Sequence, residues 1–380
     1  MKRAATVVLM TLAATLTAVP AQAAPSPAVT VLAGGCGGYL YPDTTGSAPA
    51  ADGRLHGFVG YRHSDCDGRI FYFEGAGSSW RSSPTSLTGT VIDVAQDDTG
   101  TYLLYAITEL SGTAELAVAK RASNGTITRL AVVAPLPAGW GYGKGSIIAR
   151  NGRWLAVWPQ ANGTSGDYDL YQYGTLYPSG GTVARVAVGS GVDTSPTLTF
   201  APDGAVVLAF TRATGTGRTV RLARTTNGTA WSGRTVGSDL PINTDFPELD
   251  VAVTTAGTFV AWTEMTNQIS QVVVADDLTG GWRRQQPPAV YDSANWDANI
   301  VASGSRVLAG YDSGDEYPTD TVLFARRISA TGAWTEVPTG GGVPGSIDSK
   351  GVLGLSRTGG SVTALVFSGD TLYALNGLSL

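Results

Sequence analysis

Three pairs of acids recur at similar spacing and could act together. Asp93 is followed by Glu109, Asp250 by Glu264 and Asp297 by Asp312, each pair separated by an apolar run, a Gly-containing turn and a second apolar run. Two strands joined in this way form a hairpin, which returns the second acid to the end where the first one stands. Two carboxyls some ångströms apart, one protonated and one ionised, are what glycoside hydrolysis needs. Groups suited to holding a polar ligand stand at the same strand ends: Arg62, His63, Arg212 and Tyr311, with Trp140, Tyr142 and Trp296. A second reading of the acids stays open. An Asp at a strand start often caps the preceding turn by accepting backbone N–H groups, and repeat duplication leaves identical residues behind. The ends of the second strands differ from unit to unit (Arg62, Glu109, Gln160, Arg212, Glu264, Asp312, Ser368), which speaks for a site.

The elements that carry these residues repeat. Second-strand ends fall at positions 62, 109, 160, 212, 264, 312 and 368, at intervals of 47 to 56 residues. A Gly-containing turn followed by Trp runs in phase with them, giving Trp80, Trp231, Trp282 and Trp334. Each unit has room for four short strands. Four strands in about fifty residues, repeated about seven times, is the pattern of a β-propeller. The expectation is an all-β fold of seven four-stranded blades; a β-sandwich would not require so regular a period. The last unit supplies only three strands, and Ala28–Leu32 near the start has no other partner. That N-terminal strand is expected to complete the last blade and remove the open edges of the ring.

Residues 1–23 read as a secretory signal peptide: Lys2-Arg3, an apolar stretch, then Ala21-Gln-Ala23. Residues 24–380 are then a single exported propeller domain, and no later stretch is long and apolar enough to span a bilayer. Only 14% of residues are charged, 50 are Gly, and the net charge of -5 is not that of a nucleic-acid binder. The expected partner is a carbohydrate or glycoconjugate, bound by a monomer. Cys36 and Cys66 are the only cysteines, and in an exported chain they are expected to form one disulfide near the closure. No cofactor is expected. The oxygen-rich loop Asp312–Asp320 is a candidate for Ca²⁺, without the spacing of a known loop. Of the two histidines, His56 reads as packed or at the surface and His63 as better placed for chemistry. Serine-nucleophile, phosphate-loop and zinc signatures do not occur.

The stretch Thr225-Thr-Asn-Gly-Thr-Ala-Trp231 resembles the Asp-box turn of sialidase-like (BNR) propellers, with Asn227 in the acidic position. Ser329–Trp334 and Asp277–Trp282 are more degraded copies. The resemblance implies a propeller in which Gly supplies the turn and Trp packs between sheets, on a rim without catalysis. It also implies a glycan-active superfamily of glycoside hydrolases and lyases. The sialidase set itself departs here: Arg69-Ile70 is followed by Phe71 where the family has Pro, and Arg62 and Arg212 lack a third arginine. Arg62, His63 and Tyr61 or Tyr311 could serve a lyase reaction by analogy with propeller lyases. The alternative to a glycan-cleaving enzyme is a lectin-like or protein-binding propeller without catalysis.

Overall fold

The structure is a computed structural model. It describes residues 27–28, 45–50, 52–60, 68–77, 79–108, 114–136, 145–161, 168–178, 181–189, 191–213, 217–240, 249–266, 269–288, 295–313, 321–337, 350–368 and 371–380.

The described strands form seven antiparallel four-stranded sheets, as expected from the repeat. After β1 (Pro27–Ala28), blade one holds β2 (Thr45–Pro49), β3 (Leu55–Gly60), β4 (Arg69–Ala76) and β5 (Ser79–Thr88). Blade two holds β6 (Thr90–Asp97), β7 (Gly100–Thr108), β8 (Ala114–Ala122) and β9 (Ile127–Leu136). Blade three holds β10 (Ser146–Arg150), β11 (Arg153–Ala161), β12 (Tyr168–Gly174) and β13 (Ala184–Arg185). Blade four holds β14 (Asp193–Phe200), β15 (Val206–Ala213), β16 (Arg218–Thr225) and β17 (Ser232–Leu240). Blade five holds β18 (Leu249–Val253), β19 (Thr258–Thr266), β20 (Ile269–Asp276) and β21 (Arg283–Gln285). Blade six holds β22 (Asn295–Ser303), β23 (Arg306–Ser313), β24 (Thr321–Arg327) and β25 (Thr335–Glu336). Blade seven holds β26 (Lys350–Thr358), β27 (Ser361–Ser368) and β28 (Thr371–Ser379).

Strand β1 completes blade seven on its outer edge, Pro27 opposite Leu375 and Ala28 opposite Ala374. The expected closure is present, one residue earlier and shorter than Ala28–Leu32; residues 29–44 lie outside the described ones. Cys36 and Cys66 also lie outside them, as do the leader and the 314–320 loop.

Each sheet is covered on both faces by its neighbours, and the second strands are largely apolar instead of alternating. Val206-Val-Leu-Ala-Phe210 in β15 is buried along its whole length. The core is divided into seven clusters, one per seam between blades. Trp80, Trp231, Trp282 and Trp334 each pack into the seam between their own blade and the one before. The turn before Trp231 is built by side chains: Thr225 Oγ1 accepts from Asn227 N and Gly228 N, and Asn227 Oδ1 accepts from Thr229 N and Ala230 N. Gly228, at φ 76°, takes the left-handed conformation this turn demands. Among the described residues no helix is long and apolar enough to cross a membrane.

Candidate functional site

The innermost strands of a propeller have no ladder partner on the axis side, so their edge N–H and C=O groups must be satisfied otherwise. Polar side chains do this from blade to blade. Asp93 Oδ1 accepts from Val94 N at 2.7 Å, and its Oδ2 accepts from Ser146 Oγ and Ile147 N, both at 2.8 Å. Ser146 Oγ in turn accepts from Leu198 N at 3.1 Å, and Thr197 Oγ1 donates to Leu249 O at 2.7 Å. Asp250 accepts from Val251 N at 2.7 Å and Ile300 N at 2.8 Å. Asn299 Nδ2 donates to Val352 O at 3.0 Å, and Asp312 Oδ1 accepts from Val352 N at 2.9 Å. The positions 93, 146, 197, 250 and 299 thus link the inner strands in succession from blade two to blade seven. Register shifts at Val91/Asp93, Thr194/Thr197 and Trp296/Asn299 mark irregularities beside Asp93, Thr197 and Asn299, while Ser146 and Asp250 stand on regular ladders.

The strand-end residues expected to form a site are mostly turned to such duties. Asp93, Asp250 and Asp312 hold backbone N–H groups of a neighbouring blade. Asp250 and Glu264 do not meet: Asp250 stands opposite Ala261, while Glu264 Oε1 accepts from Trp262 Nε1 at 2.7 Å and from Arg284 on the outermost strand. Gln160 takes the indole N–H of Trp158 in the same way. Arg212 is buried against Asp193, with Nε to Oδ1 and Nη2 to Oδ2 both at 2.6 Å, and donates further to Val188 O and Gly189 O. Tyr311 is buried in the seam between blades five and six, and its hydroxyl donates to Pro288 O. Trp296 and Asp297 lie on β22, where the backbone pairs Trp296 with Asp312 and Asp297 falls in the irregularity that follows. Arg62, His63, Glu109, Trp140 and Tyr142 lie outside the described residues.

Burial raises Asp93 to about 6 and Asp250 to about 7, against the pull of their backbone N–H bonds, and the Asp93 charge adds to the rise at Asp250. The folded state therefore holds these protons more tightly than the unfolded chain does. Their contribution to stability is full below the ordinary carboxyl range and is lost as pH climbs through about 6 to 7. Asp250→Asn cannot titrate. Relative to that variant, the wild type should gain on the order of 2 kcal/mol between pH 8 and pH 5. Urea unfolding of both proteins across that range checks this; parallel pH profiles would refute it.

A second polar constellation lies on the opposite face, where the inner strands end and the third strands turn into the fourth. His56, Glu74 and Arg81 sit in one row across β3, β4 and β5, with Tyr72 two residues from Glu74 on the same side of the sheet. Tyr72 Oη donates to Glu74 Oε2 at 2.6 Å and lies 2.5 Å from His56 Nδ1. Arg81 pairs with Glu74 Oε1, and Arg54 Nη1 approaches it at 3.7 Å. The Arg121 guanidinium of blade two stacks over the Tyr72 ring, 3.7 Å from its centroid. Burial opposes the charge on Glu74, but its bonds from Tyr72 and Arg81, with the Arg81 and His56 charges, outweigh it and hold the carboxyl below its usual range. Burial lowers His56, with help from Arg121 and Arg54 and against Glu74 and Asp52. Burial and the bond to Glu74 raise Tyr72. His56, Glu74, Arg54, Arg81 and Arg121 line a cleft of about 380 Å³ between blades one and two. In the sequence alone His56 is a packed or surface residue without a partner to mark it. Tyr72 and Glu74 at i and i+2 were a signal that they share one side of a strand, but only the register brings His56 to them.

No family model matches the chain, and no curated protein matches it. Among solved structures it is similar to an ulvan lyase of polysaccharide lyase family PL25, bound to -[GlcA(1-4)Rha3S]-. The TM-score is 0.54 and the identity 11%, over 94% of this chain and 93% of that one. A second ulvan lyase structure gives 0.54 at 11% identity, over 95% and 96%. A lectin of Aleuria aurantia in complex with alpha-methyl-L-fucoside gives 0.49 at 12% identity, over 81% of this chain and 98% of the lectin. At that identity the likeness to the ulvan lyase is one of fold alone.

Proposed function

We propose that the protein is an exported, carbohydrate-recognising β-propeller that binds its glycan at the axial face where the inner strands begin. The reading is supported by the sequence, in which unequal polar and aromatic residues, Arg62, His63, Trp140, Tyr142 and Trp296 among them, are expected at the strand ends. One observation favours recognition over hydrolysis: the axial carboxylates of Asp93, Asp250 and Asp312 already accept backbone N–H groups, and that of Glu264 an indole and an arginine. Carboxyls so engaged hold a scaffold and are poorly placed to exchange protons with a substrate. An ulvan lyase with this fold binds a saccharide, and that use of the architecture is carried over as part of the proposal.

A second reading, a sialidase-like glycosidase, is favoured by Asp250, whose rise to about 7 leaves it partly protonated near neutral pH, as a general acid must be. A glycan-array and polysaccharide screen on the secreted protein, read for both binding and product release, separates the two. Binding without turnover, unchanged in Glu264→Gln, supports recognition. Product release that disappears in Glu264→Gln or Asp297→Asn would replace it with hydrolysis.

A further inference from the structure

His56 carries a mismatch that only a second ring proton removes. Glu74 is held ionised and can only accept, so the Tyr72 hydroxyl spends its one proton on Glu74 Oε2. The 2.5 Å contact between Tyr72 Oη and His56 Nδ1 is then attractive only if Nδ1 carries a proton. In the neutral ring this leaves a lone pair on Nε2, which is buried without a hydrogen-bond partner among the described residues. It faces Asp52 Oδ1, another acceptor, at 3.9 Å. No ligand reaches Nε2, so the group that answers it belongs to the chain itself. With both nitrogens protonated, Asp52, His56, Tyr72 and Glu74 form one chain in which every proton has an acceptor. Asp52 is suited to closing it. Its side chain is exposed, and the backbone around it is pinned by Gly53 N donating to Ala50 O and Ala50 N to Arg54 O. A swing of the carboxylate by about 1 Å reaches hydrogen-bond distance.

Blade five has the same frame with no titratable residue in that place. Phe259, Asp276 and Arg283 pair across β19, β20 and β21 as His56, Glu74 and Arg81 do across β3, β4 and β5. An arginine from the third strand of the next blade completes each set. Arg327 bonds Asp276 directly at 2.8 Å, whereas Arg121 lies on the Tyr72 ring. The blade-five set is closed around a buried Phe259, while the blade-one set lines an open cleft and puts a histidine between two carboxylates.

We propose that His56 is a proton-operated latch: on taking up a proton it draws the Asp52 carboxylate onto β3 and narrows the cleft between blades one and two, and on losing it releases Asp52 to the rim. The groups facing the ring oppose one another. Burial is the largest influence and disfavours the cation, Glu74 and Asp52 favour it, and Arg121 and Arg54 disfavour it. Tyr72 is raised and keeps its proton, Arg81 is held by Glu74, and Asp97 and Asp98 line the blade-two wall. The balance lies below the ordinary histidine range, so the latch closes on the acid side of it.

The protein has two histidines, so imidazole nitrogen NMR on the labelled full-length protein assigns His56 once His63→Gln removes the other signal. The neutral ring is expected as the Nδ1–H tautomer. The Arg54 amide proton, which donates to Asp52 Oδ1 at 2.9 Å, should shift with the same midpoint as the ring on titration from about pH 8 to pH 4. Asp52→Asn should lower the His56 midpoint by about half a unit or more, because a neutral amide no longer favours the cation. His56→Phe, which copies blade five, should abolish the Arg54 step. An Nε2–H tautomer in the neutral wild type would overturn the proposal without any variant. So would an Arg54 amide indifferent to the ring, an Arg54 step that survives in His56→Phe, or an unmoved midpoint in Asp52→Asn.

Discussion

Arg212→Met is expected to lower the stability of the propeller by about 3–5 kcal/mol, the cost of breaking a buried ion pair from one side. Arg212 and Asp193 face one another across β14 and β15 and are 7% and 1% exposed. Their two parallel 2.6 Å bonds are the fork geometry in which a guanidinium and a carboxylate fit best. Without Arg212, Asp193 would keep a charge that burial already disfavours; its carboxyl is raised even with the arginine beside it, burial being the larger cause. Val188 O and Gly189 O would lose their donors as well. Asp193→Leu combined with Arg212→Met removes the stranded charge and should recover much of the loss. Chemical unfolding of the two variants checks both statements. If Arg212→Met instead kept wild-type stability while losing a glycan, Arg212 would be a ligand residue and its partner in the fold incidental.

The blades were legible because they repeat: strand ends return in every unit and the Gly-Trp turn in four of the seven, and a repeat fixes architecture before any contact is known. Closure was legible too, since a three-stranded last unit and an orphan N-terminal strand imply each other. The duties of single residues were less so. Asp93 and Asp250 were open to a scaffold or a catalytic reading, because the groups they bind, Ile147 N and Ile300 N, lie about one repeat away and identify themselves only once the inner strands are side by side. His56 was passed over for a related reason. Its row with Glu74 and Arg81 depends on the pairing of three strands, and a slip of one residue would turn it to the other seam. A periodic sequence states which positions are equivalent; it does not state which neighbour each side chain faces.

A second buried pair makes an equally large prediction in a different place. Arg327 on β24 and Asp276 on β20 are both fully buried, with Nη1 2.8 Å from Oδ2, and together they join blades five and six. Gln285 accepts from the same Nη1, and the guanidinium lies between the rings of Phe259 and Trp334, 5.8 and 5.7 Å from their centroids. The enclosure is incomplete, since Arg327 Nε and Nη2 have no hydrogen-bond partner among the described residues. Such a pair stabilises little in net terms, because desolvation of two ions offsets their attraction, yet breaking it from one side is expensive. Arg327→Met should therefore cost about 3–5 kcal/mol, whereas Asp276→Leu with Arg327→Met should come close to the wild type or exceed it. Hydrogen exchange gives the discriminating readout. In the single variant, protection should fall first in β20 and β24 as the seam between blades five and six opens, while blades one to three keep theirs. Uniform loss across all seven blades would mean that the ring yields as one unit, and that no single seam can be loosened without opening the closure made by β1.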